Sequence, residues 1–120
     1  MSTIIASNVS DGTLSIPTTY VTNGSAKAWV NFNGTGTVSI RDSFNVSSLT
    51  DNGVGVYTVN FSNAFGAANY AVSGTSMNGN VMGPYTPSGA ITASNVVILS
   101  WFTSFTDAEP GSVLAHGDLA

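Results

Sequence analysis

Apolar and polar residues alternate along most of this chain with a period of two, and Gly, Asn, Asp or Pro interrupts the alternation about every eight to twelve residues. From Lys27 to Asn33, Ala28, Val30 and Phe32 fall on one face, and Lys27, Trp29 and Asn31 on the other. That is the pattern of a strand with one face buried. Gly34-Thr35-Gly36 reads as a hairpin turn. Beyond it Val38, Ile40, Phe44 and Val46 share a parity, and Asp42 falls among them. A continuous strand would bury that carboxylate, so a bulge or bend is expected near Arg41-Asp42-Ser43. Asp51-Asn52-Gly53 is a turn, and Tyr57, Val59 and Phe61 mark a third strand. Ala64 to Asn69 reads as a loop, Tyr70 to Met77 as a fourth strand, and Asn78 to Gly89 as the longest stretch of turn character. A fifth strand is expected from Val96 to Phe105, and a last one from Ser112 to Leu119.

The fifth strand is apolar on both faces. Val97, Leu99, Trp101 and Phe105 take one side, and Val96, Ile98 and Phe102 the other. Such a strand needs cover on both faces. No window of ten or more residues carries a helical period. The expected fold is all-β, a single antiparallel β-sandwich or barrel-like domain. Residues 1–25 are less regular. They read as an N-terminal arm or docking segment with a short strand, Thr13 to Ile16, that stops at Pro17. Residues 26–120 form the β domain.

Composition changes the picture in one respect. Only 7% of the 120 residues are charged, and the net charge is −4. An ordinary soluble domain carries about 25%. Polarity comes instead from Ser, Thr, Asn and Gly, 56 residues in all, while 42% of the chain is hydrophobic. That is enough apolar surface for a core and argues against disorder. Edge strands are usually guarded by charge or Pro, and charge is scarce here. Identical subunits covering the edges and the second face of the fifth strand are the expected answer, a homo-oligomer with Trp29, Val96, Ile98 and Phe102 as interface residues.

The same counts narrow the function. Lys27 and Arg41 are the only basic side chains, too few to displace counterions from phosphates or to hold an anionic membrane, so neither nucleic acid nor membrane is an expected partner. With no cysteine, a disulfide framework and thiolate metal sites are excluded. His116 is the single histidine and is expected at a surface or interface. Asp107 and Glu109 read as a solvated turn, and Asp42 and Asp51, which glycosidase chemistry could in principle use as a pair, as structural residues. No catalytic residue, metal or cofactor is expected. Met1 to Ser7 shows no secretory signal pattern, so synthesis in a cytoplasm without a secretion address is expected. Asn78, Asn80 and Tyr85 stand apart, because two amides and an aromatic in a Gly- and Pro-rich loop suit recognition better than packing.

The run Ser25-Ala26-Lys27-Ala28-Trp29-Val30-Asn31-Phe32-Asn33-Gly34-Thr35-Gly36, followed by Ile40 to Ser48, Asp51-Asn52-Gly53, Tyr57 to Phe61 and Asn69 to Val72, resembles a module of bacteriophage tail fibres and other virion structural proteins. The resemblance covers about residues 13 to 75. It implies a trimeric fibre tip or knob on the virion surface, without catalysis, in contact with other virion proteins of the fibre, baseplate or capsid and with bacterial surface glycans. A capsid decoration or head-fibre protein is the alternative, and a carbohydrate-active enzyme is a third, distant reading.

Overall fold

The computed structural model describes residues 1–77, 80–85 and 89–120. Ten strands and one short helix occur among them. These are β1 (Asn8–Ser10), β2 (Ser15–Pro17), α1 (Thr18–Gly24), β3 (Ala28–Asn33), β4 (Ser39–Phe44), β5 (Val46–Gly53), β6 (Val56–Phe61), β7 (Ala71–Ser76), β8 (Val81–Pro84), β9 (Asn95–Trp101) and β10 (Gly111–His116). β1 and β2 pair alone. The other eight form one antiparallel sheet in the order β4-β3-β10-β7-β8-β9-β6-β5, nearly closed into a barrel. The all-β class expected from the alternation is therefore the fold of the chain.

Closure answers the question posed by the strands' apolar faces. A sheet curled on itself buries one side of every strand against the opposite wall. Ala28, Val30 and Phe32 of β3, Tyr57, Val59 and Phe61 of β6, Val96 and Ile98 of β9, and Val113 and Ala115 of β10 point inward and make the core, with Met82 of β8. Val96 and Ile98, expected at an interface between subunits, are 0% exposed within the single chain. They have no surface to offer a neighbour, and that expectation is corrected. The third inward position on β9 is Ser100, also fully buried. Phe102, expected on the same face, lies beyond the end of the strand and is 60% exposed.

The barrel nearly closes where β4 and β5, consecutive in the chain, turn about a single residue, Asn45. Its φ is 55°, a left-handed conformation that Asn tolerates better than most residues. The amide fixes the corner. Its Oδ1 accepts the Asn63 backbone N–H at 2.7 Å, and its Nδ2 donates to the Asn63 carbonyl at 3.0 Å. The Asn63 Nδ2 also donates to Asn45 Oδ1, at 3.1 Å. Asn45→Ala therefore combines a strained φ with three lost hydrogen bonds, and is expected to lower stability by about 2 kcal/mol. Denaturant unfolding of the variant measures this directly.

Both sheet edges are protected. The expected bulge falls at Arg41, because Asn31 pairs with Asp42 but Phe32 pairs with Ile40. The extra residue turns Asp42 outward, opposite Asn31. β5 is bulged twice, near Ser47 and near Asn52. Arg41, Asp42 and Asp51 lie on these two strands and are exposed. Three of the chain's eight charged side chains thus lie on the edge strands, where with the bulges they help to blunt the edges.

Four elements escaped the sequence pattern. β5 is one, and its last three residues are Asp51-Asn52-Gly53, which read as a turn. α1 follows Pro17, whose fixed φ suits the start of a helix, but Thr18 to Gly24 has no apolar stripe to announce it. β1 is three residues long and exposed throughout. β8 runs through the stretch expected to be a loop, with Gly83 and Pro84 in its second half.

Candidate binding surface

One end of the barrel is sealed by a hydrogen-bonded plug. The Tyr57 ring is fully buried and meets Phe32 edge-on, with centroids 5.1 Å apart. Its hydroxyl accepts the Ala108 N–H at 3.1 Å and lies 3.0 Å from the Gly34 carbonyl and 3.2 Å from Asp107 Oδ1, to either of which its proton can go. Asp107 Oδ1 also accepts the Gly55 N–H at 2.8 Å. Gly55 has φ 67°, and a side chain there would come within 2.7 Å of the Ser100 carbonyl and the Thr106 nitrogen. Burial pushes the Tyr57 phenol up to about 12, against the opposing pull of the Ala108 amide. Asp107 is thus a structural acceptor, and Glu109 pairs with Arg41 and accepts from Thr35. These contacts replace the solvated turn expected for the two carboxylates. Among the described residues no cluster of three or more His, Asp or Glu side chains occurs.

The other end is closed by aromatics. Phe65 stacks on Tyr70 at 4.2 Å, and both meet Phe61 edge-on. The Tyr70 hydroxyl lies 2.8 Å from the Thr92 carbonyl and 2.9 Å from that of Asn95. Burial pushes this phenol up to about 12 as well. Phe65 stands alone in an Ala- and Gly-rich loop, and nothing in the sequence pattern marked it as core.

The outer face of β9 is where an apolar surface reaches solvent. Val97 and Leu99 are half-buried there, and Trp101 is 41% exposed. After Trp101 the chain doubles back, so that Phe105 bridges to Trp101. The Phe105 ring stands edge-on to Trp101 at 5.1 Å and to Tyr85 at 5.6 Å. Tyr85 is anchored by its N–H to the Val97 carbonyl at 2.9 Å. Tyr85, Phe105 and Trp101 thus form a continuous aromatic run along the outside of a rigid wall, with exposed Val81 paired to Trp101. The chain's own return loop supplies part of the second cover that β9 needs. No charged side chain belongs to this run.

The residues singled out for recognition divide. Tyr85 belongs to the aromatic run. Asn80 is half-buried, and its Nδ2 donates to Ser100 Oγ at 3.2 Å, which ties it inward to the barrel. Asn78 lies outside the described residues. Trp101 and Phe105, the strongest members of the surface, were read from the sequence as packing residues. Trp29 is far from them in the sheet order, on the outer face of β3, paired with exposed Phe44 on one side and Leu114 on the other. His116 ends β10 half-buried. Comparison with known protein families, with curated proteins and with solved structures finds no match for this chain.

Proposed function

We propose that this chain is a bacteriophage virion structural protein of tail-fibre type, a homo-oligomer that builds or tips a surface appendage and binds neutral bacterial surface glycans. The observation that carries the binding half of the reading is the Tyr85-Phe105-Trp101 run. Sugars present apolar C–H faces and neutral hydroxyls, and they are gripped by rigid aromatic rings flanked by uncharged hydrogen-bonding groups. A wall coated in Ser, Thr and Asn around such a run suits that chemistry, whereas an anionic ligand would find almost no cation. The resemblance over residues 13 to 75 supports the virion half. No catalysis is part of the reading: Asp42 and Asp51 sit on the two edge strands, outside any enclosed pocket, and act there as edge guards.

Trp101→Ala and Tyr85→Ala are each expected to weaken adsorption of the purified protein to host cells about tenfold, the scale of a lost aromatic contact. Stability should change little for Trp101, which is partly in solvent. Unchanged adsorption in both variants would sink the glycan assignment. Antibody labelling of particles in the electron microscope checks the location. A tail label supports the fibre, a head label the decoration-protein alternative, and an unlabelled particle removes the virion reading.

A further inference from the structure

We infer that the N-terminal arm is an exchange element, and that its apolar side chains lie on the outer Phe44-Trp29-Leu114 row of a second copy of this chain. The inference rests on the geometry alone and not on the glycan or phage reading.

No residue from 1 to 25 is buried. Ile4 and Ile5 are more than 90% exposed, Leu14 and Tyr20 about 70%, and Ile16 and Val21 45%. Together these six expose on the order of 800 Å², the share that one partner contributes to a stable interface of standard size. The chain's own barrel does not cover them. The radius of gyration is 16.2 Å with extents of 49 × 28 × 25 Å, where a compact chain of this length would have a radius near 13 to 14 Å. The arm projects.

It cannot fold back without breaking its root. Only residues 25–27 separate α1 from β3. Within them the Ser25 N–H bonds the Val21 carbonyl, the Lys27 N–H bonds the Ala115 carbonyl at 2.9 Å, and the Lys27 ammonium sits on the Ser25 carbonyl at 2.9 Å and on its hydroxyl. That leaves no slack for a reversal.

The barrel offers a matching surface at the same end. Phe44, Trp29 and Leu114 are directly opposite one another across β4, β3 and β10, all on the outer face. Phe44 is 55% exposed and Leu114 40%. The row starts beside Ala28, where the arm is rooted. A neighbour whose arm lies on this row therefore brings its own row next to this chain's arm, and the exchange is reciprocal or cyclic, the commonest way for identical chains to close an assembly. Charge does not favour a different occupant. Asp11 is the only charged side chain in the arm, and the row carries none.

The test is sedimentation equilibrium of the full chain over a range of concentrations. The unmodified protein is expected to be oligomeric. Ile4→Asp, Ile5→Asp and Leu14→Asp combined should give a monomer with an unchanged near-ultraviolet spectrum, since none of the three touches the barrel core. Phe44→Glu with Leu114→Glu should give the same monomer. If that pair disturbs the spectrum, Phe44→Ser with Leu114→Ser replaces it, both side chains lying outside the barrel core. A monomeric unmodified chain overturns the inference. So does an oligomer that survives the arm substitutions, and so does one that loses its partner with the arm but not with the row. A monomeric chain would also remove the homo-oligomer from the proposed function, whereas cell adsorption and particle labelling are read separately and test its glycan and virion parts.

Discussion

Tyr57→Ala is expected to lower the stability of the chain by about 5 kcal/mol, close to the whole margin of a small domain. Two losses combine. The first is a fully buried aromatic ring that packs edge-on against Phe32, and its removal leaves a cavity in that end of the barrel. The second is the hydroxyl. It is the acceptor for the Ala108 N–H and a donor to the Gly34 carbonyl or Asp107. Without it the buried Ala108 amide loses its acceptor, and the Asp107 carboxylate loses one of its partners. The side chain cannot be replaced by shifting the neighbours inward. Gly34 has no side chain because the Tyr57 hydroxyl occupies that space, and Gly55 is hemmed in by the backbone of Ser100 and Thr106.

Tyr57→Phe separates the two losses. It keeps the ring and removes only the hydroxyl, and it is expected to cost about 1 to 3 kcal/mol, the range for leaving a buried partner unsatisfied. Urea unfolding of both variants gives the comparison. If Phe and Ala cost the same, the hydroxyl rather than the ring holds the end of the barrel. If Phe is neutral, the network around Asp107 is dispensable and the plug is simply apolar.

How much of this was legible in the sequence depends on the kind of contact. β3 and β6 were plain, because Ala28-Val30-Phe32 and Tyr57-Val59-Phe61 alternate cleanly and both strands have one buried and one wetter face. β9 was also plain as a strand, but its two apolar faces have two different covers. Periodicity shows that a residue must be covered and is silent about what covers it. Val96 and Ile98 are covered by the opposite barrel wall, and Trp101 in part by Phe105 returning along the outside. A neighbouring subunit would produce the same sequence pattern. The bulge at Arg41 was readable because a buried Asp42 would be too costly, which is a local argument. The role of Asp107 was not readable, since Tyr57 is 50 residues away and the bond exists only once the sheet has closed. The aromatic run has the same character. Tyr85, Trp101 and Phe105 come from two loops and a strand end, and only the doubling back after Trp101 aligns them. The edge charges show what a count leaves out: of eight charged side chains, three are placed on the two edge strands beside bulges, and only the sheet order reveals that placement.

Alkali should attack the fold at both ends of the barrel together. Tyr57 closes one end and Tyr70 the other, and burial pushes both phenols up to about 12, Tyr57 with a further upward push from the Asp107 carboxylate. In the unfolded chain a tyrosine ionises near 10. Below that pH both states hold the phenolic protons and the contribution to stability is complete. Between about 10 and 12 the unfolded chain releases protons that the folded chain retains, so stability falls as pH rises. Above about 12 the folded chain releases them too and no more is lost from this source. The thermal midpoint should therefore hold steady below pH 10 and drop steeply from there to pH 12. Replacing both residues by Phe removes the ionisable groups, so the double variant, although less stable at neutral pH, should lose much less across that window. A double variant that melts over the same alkaline range as the parent would assign the effect to other groups and separate the two barrel ends from the pH response.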